Sequence, residues 1–217
     1  MINDTTFGYG LQHFPVRPGD VSLRICTMSD LHSMGMTTEQ IVRDIFQMDR
    51  NTLKGLSNWQ VGTVDQWVSV IDKSQVGVRV LVVGSGESVK IVGYWHYVAL
   101  DPIIYTRAKA GMMYEREVVS SVVMSMDVPG HYMVYFAGIS VMPGYRGISS
   151  SRLLYRSFWS SIYDLRSKRI YIDELCAVAF TEVGVSLCKS ARMTYLREHD
   201  NCGSVYWILL KPVGLIV

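Results

Sequence analysis

Residues 135–165 read YFAGISVMPGYRGISSSRLLYRSFWSSIYDL, and the fold is decided there. Met133, Tyr135, Ala137, Ile139 and Val141 alternate with Tyr132, Val134, Phe136, Gly138 and Ser140. Nearly all are apolar, the pattern of a strand inside a sheet. Pro143 and Gly144 end it. Leu154, Phe158, Ile162 and Leu165 then recur at helical spacing, with Arg152, Arg156 and Arg166 among the more polar positions. The spacing predicts a helix that opens at about Ser149 to Ser151, where hydroxyl side chains suit a capping role.

A helix start of this kind has a chemical use. Its first N–H groups have no carbonyl partner inside the helix, and the dipole adds positive charge at that end. Gly147, Ser149 and Ser151 are small enough to let a phosphate approach, and Arg146 adds a fixed charge. The plainer alternative is a strand-turn-helix with a solvated arginine.

The run ISVMPGYRGISSSRLL resembles the acyl-CoA-binding motif of the GCN5-related N-acetyltransferase (GNAT) superfamily. Val141, Pro143, Arg146, Ser149 and Ser151 fall on the motif positions, with serine where that family has glycine or alanine. The resemblance implies an acetyl-CoA donor. It implies main-chain contacts from Ile139, Ser140 and Val141, and a pyrophosphate cradle of Arg146, Gly147, Ile148, Ser149, Ser150 and Ser151.

Composition sets the bounds. The chain has 217 residues, 49% apolar and 18% charged, with a formal net charge of +2. That suits one domain with a sizeable core and argues against disorder. The charge is too small to imply nucleic acid, although Arg166, Lys168 and Arg169 form a basic cluster that would suit a solvated helix end or an RNA backbone. Cys26, Cys176, Cys188 and Cys202 lack C-x-x-C or zinc spacing and read as free thiols in a reducing compartment. Neither a signal peptide nor a membrane span is evident, so a cytoplasmic protein is expected, with no metal.

Along the chain, residues 1–20 read as an irregular extension and 21–217 as the domain. Strands are predicted at 21–26, 78–84, 89–100, 169–178, 194–199 and 205–210. Helices are predicted from Thr37 or Thr38 to about Arg50, after Thr63, and from Thr181–Glu182 to about Ala191. The insertion at about 101–130 reads ambiguously: Glu115 to Met126 suits either a helix or a β-rich run. This order matches the GNAT fold: an α/β domain with a mixed, mostly antiparallel twisted sheet, a central parallel strand pair and helices on both faces.

The resemblance extends more weakly to TEVGVSLCKSARMTYLRE, a later family helix. There Cys188 stands where a tyrosine commonly serves as general acid. A small buried apolar role is the alternative. Glu174, on the strand expected to line the cofactor cleft, and His96, mid-strand among aromatics, are candidate bases. His131 and Tyr132 are weaker candidates. The expected partners are acyl-CoA and an amine acceptor, with aminoacyl-tRNA and a homodimer left open. The rival reading is a GNAT-like binding or regulatory module with weakened catalysis.

Overall fold

Strand β1 (Leu23–Cys26) opens a sheet that β2 (Val78–Val83), β3 (Lys90–Leu100) and β5 (Gly130–Val141) extend in antiparallel fashion. A two-residue strand β4 (Val123–Met124) pairs with β3 off this path. Then β6 (Ile170–Ala179) lies parallel to β5, and β8 (Ser204–Leu209) and β7 (Thr194–Glu198) close the far edge. A computed structural model describes residues 22–52, 62–84, 89–200 and 203–210. The extension at 1–20, the loop around Gly55, the turn at 85–88 and Cys202 lie outside the described residues.

Helices cover both faces. Helix α1 (Met28–Ser33) was not anticipated. It is a short helix of six residues held by a capping box in which Asp30 N–H donates to Thr27 Oγ1 and Thr27 N–H donates to Asp30 Oδ2. Helix α2 (Thr38–Thr52) buries Ile41, Val42, Ile45 and Met48, one apolar stripe. Helix α3 (Val64–Lys73) begins at Thr63, whose hydroxyl accepts from Gln66 N–H at 3.2 Å. These helices pack with Tyr105 and Ala108 of α4 (Pro102–Lys109) into one core cluster. Leu154, Phe158, Ile162 and Leu165 of the long helix α5 (Ile148–Ser167) form the second core cluster with Trp95, Tyr97 and Val134. A small third cluster joins Cys188 of α6 (Glu182–Ser190) to Ala177, Ala179 and Tyr206.

Two serines one helical turn apart fasten α5 to β3. Trp95 Nε1 donates to Ser157 Oγ at 2.7 Å, and the Tyr97 and Ser161 hydroxyls are 3.3 Å apart. Trp95 and Tyr97 stack, and Phe158 meets both edge-on. The position of the α5 start relative to the sheet is thereby fixed.

The 101–130 stretch resolves the ambiguity left by its sequence. It is neither a long helix nor a long β run. Asp101 caps α4, a single 3-10 turn spans Glu115–Glu117, and β4 follows.

Candidate functional site

The site is a fork between β5 and β6. The parallel strands pair from Gly130 opposite Ile170 to Phe136 opposite Ala177. Beyond that point β5 stays with β3 as far as Val141, while β6 stays with β8 as far as Ala179. A β-bulge sits at the parting. Tyr97 faces Phe136 and His96 faces Gly138, so Ala137 has no opposite number. The even alternation read from the sequence therefore breaks here. Tyr135 joins the α2–α3 core, while Ile139 and Val141 pack towards the α5 core.

Met142 N–H donates to Val92 O at 2.8 Å, towards β3. By the alternation of a paired strand, the main-chain groups of Ile139 and Val141 then turn towards the fork. Consistent with this, Arg146 Nε donates to Val141 O at 3.0 Å.

The helix start is open. Its N-cap is Gly147 rather than one of the serines, and no side chain caps it. Ser151 N–H donates to Gly147 O at 3.1 Å. The N–H groups of residues 148–150 precede the first bond of the helix. Ser150 is buried, and its hydroxyl donates backwards to Tyr145 O at 2.6 Å. Ser149, Ser151, Gly147 and Arg146 are exposed. A Cβ built at Gly144 or Gly147 meets no atom within 4 Å, so the approach is clear.

The sequence matches no family model and no curated protein. Solved structures do match. Ard1 from Thermoplasma volcanium aligns with a TM-score of 0.52 at 10% identity, over 88% of this chain and 100% of that one. An acetyltransferase of the GNAT family from Staphylococcus aureus Mu50 aligns with a TM-score of 0.51 at 11% identity, over 88% and 100%. The fold is that of the GNAT superfamily.

Within this GNAT fold the fork holds a cavity of about 170 Å³. Val42, Ile45 and Phe46 of α2 and Trp67 and Ile71 of α3 wall one side. The parted strands supply Phe136 to Ile139 and Ala177 to Ala179, and α6 supplies Gly184, Leu187 and Cys188. His96, Cys188 and Ile139 thus come together.

Glu174 does not join them, which corrects the expectation that it lines the cleft. It sits opposite Met133, where the strands are still paired. Its Oε2 accepts from Lys109 Nζ and from Trp207 Nε1, each at 2.7 Å. Burial alone would raise its pKa, but these bonds outweigh burial and hold it below the usual carboxylate range. His131 pairs with Asp173 at the surface, and Tyr132 donates to Val128 O.

The residues that do converge set the electrostatics. Burial pushes His96 down to about 3, so its imidazole is neutral near pH 7 and a weak base. Burial pushes the Cys188 thiol up to about 11. That makes Cys188 a weaker acid than an ordinary thiol of pKa near 8.5. Sequence reasoning missed Asp49, Tyr94 and Glu115, which also line the cavity. Tyr94 Oη donates to Asp49 Oδ2 at 2.6 Å. Burial raises Asp49 to about 6. Burial and the Asp49 charge raise Glu115 to about 8. Asp49 carried a signal, since it follows Ile45 by four positions on the apolar stripe of α2. Glu115 carried none.

Among the described residues no cluster of metal-ligating side chains occurs, and no helix is long and apolar enough to cross a membrane.

Proposed function

We propose that the protein is an acyl-CoA-dependent N-acyltransferase that moves an acetyl group from acetyl-CoA to a primary amine. The observation that carries this reading is the fork itself. It joins an uncapped helix start, the outward main chain of Ile139 and Val141, and a cavity at the parting of the strands. The helix start and Arg146 suit a pyrophosphate. The strand amides suit an amide-bearing arm and, at the thioester carbonyl, the negative charge that develops as an amine attacks. The cavity suits the acceptor, held within reach of that carbonyl. Glu115 is the carboxylate whose raised pKa best fits removal of a proton from an ammonium near neutral pH.

Serine at 149 and 151 does not close the cradle, because both residues are exposed and neither caps the helix. The test is release of free thiol from acetyl-CoA in the presence of a panel of primary amines. Amine-dependent release supports the transferase. Saturable acetyl-CoA binding with no release under any amine would favour the regulatory-module reading.

A further inference from the structure

The cavity in the fork gathers polar side chains that the other described residues leave unpaired or only weakly paired. His96 is 5% exposed, and its Nε2 is buried with no partner among the described residues. Asp49 Oδ1 makes no full hydrogen bond either, with the buried Ser140 hydroxyl near the carboxylate, while Oδ2 accepts from Tyr94. The hydrogen bond to Glu115 Oε1, from Tyr135 Oη, is a long 3.5 Å. These groups come from α2, β3 and the Glu115–Glu117 turn, and all border one cavity. Native interiors seldom leave buried polar atoms unpaired without a reason.

Their chemistry specifies a complement. Carboxylates only accept, and a neutral imidazole offers one accepting nitrogen. The charged and titratable groups around the cavity are Asp49, Arg50, Tyr94, His96, Glu115 and Cys188. A primary ammonium carries three donors, no acceptor and a positive charge. The remaining wall is apolar and aromatic, with Phe46, Trp67, Ile71 and Phe136. An apolar cavity of about 150 Å³ is known to admit benzene, and this one measures about 170 Å³.

We infer that Asp49, His96 and Glu115 form the recognition site for an acceptor's ammonium group, and that the acceptor is a small primary amine on a compact apolar body. Tyr94 holds Asp49 in position. The transfer step rests on the transferase reading above, whereas the recognition site does not. In that step the Glu115 carboxylate takes one proton from the ammonium. The freed nitrogen attacks the thioester carbonyl, the C–N bond forms and the C–S bond breaks. A second proton leaves the nitrogen for the departing thiolate. Ammonium and acetyl thioester become amide, thiol and one released proton, carried away through Glu115.

The test is calorimetry without acetyl-CoA at pH 8.5, using phenethylamine and its neutral analogue 2-phenylethanol. Phenethylamine is expected to bind saturably, and the alcohol roughly tenfold or more weakly, since hydrogen bonds to charged groups are the stronger ones. Asp49→Asn and Glu115→Gln should each weaken amine binding by a similar factor, with circular dichroism verifying the fold. Equal binding of amine and alcohol by the native protein, or no amine binding, overturns the inference. Amine binding by a protein that does not bind acetyl-CoA would leave the recognition site standing and remove the transferase. Turnover of bulky amines but not of phenethylamine would do the reverse.

Discussion

Phe136 and Ala177 form the last rung of the β5–β6 ladder. One residue later the bulge at Ala137 begins, and the two strands follow different neighbours. The cavity, the outward amides and the open helix start all lie beyond this rung. A parallel pair that stayed zipped would spend those amides on its own ladder.

If the open start of α5 is a receptor for an anion, closing it should separate stability from binding. Gly147→Asp supplies the missing cap and a carboxylate at the positive end of the dipole. Thermal stability should rise by a few tenths of a kcal/mol. Acetyl-CoA affinity should fall by roughly tenfold or more from like-charge repulsion and lost donors. Melting curves and calorimetry on the same preparation measure both. A gain in stability with affinity unchanged would place the anion elsewhere.

The Tyr94–Asp49 bond depends on a glycine. A Cβ at position 138 would stand 2.8 Å from Tyr94 Oη. Gly138→Ala should therefore destabilise the fold by about 1–3 kcal/mol. In a Tyr94→Phe background, where the hydroxyl is gone, the same change should cost less. A double-mutant cycle by urea denaturation reads the difference, and strict additivity would contradict the contact.

Stability should fall as pH rises from about 6.5 to 8. Glu115 titrates at about 8 in the fold against an ordinary 4.5, so the folded state holds more protons than the unfolded one across that interval. Stability is lost wherever that is true. Asp49, at about 6, acts in the same sense but lower. His96, at about 3 against 6.5, acts in the opposite sense and only below 6.5. Glu115→Gln should flatten the decline in the upper interval. Melting temperatures taken between pH 6.5 and 8 decide it, and parallel slopes for native and variant would refute the assignment.

Ser157 answers for the seat of α5. Trp95 is fully buried, and Ser157 Oγ accepts the hydrogen bond from its indole N–H. Ser157→Ala leaves that donor unsatisfied and should cost about 1–3 kcal/mol. Leu154→Ala, in the same fully buried layer, should cost about 2–5 kcal/mol. Denaturation midpoints check both.

Much of this was legible in the residues. The apolar run ending at Val141, the Pro143–Gly144 stop and the Leu154 to Leu165 spacing mark β5 and α5, because strand and helix periods differ so plainly. Thr63 and Thr181 mark the helix starts expected there, and the structure makes both of them caps, since a hydroxyl before a helix satisfies N–H groups left without a carbonyl. The start of α5 was misread by a residue or two. Serines favour capping, yet extended Gly147 takes that place and leaves the start open. Glu174 looked like a cleft residue because nothing local in the sequence announces the partners Lys109 and Trp207, which come from distant segments. Glu115 was hidden for the same reason. It stands on a single turn in a stretch without periodicity, and only tertiary packing carries it to the cavity.

The central claim is that the fork receives acetyl-CoA, with the start of α5 taking its pyrophosphate. Calorimetric titration of acetyl-CoA into the native protein and into Arg146→Ala tests it most directly. The account predicts saturable binding of one molecule per chain by the native protein, weakened in the variant. No saturable heat from the native protein would contradict it.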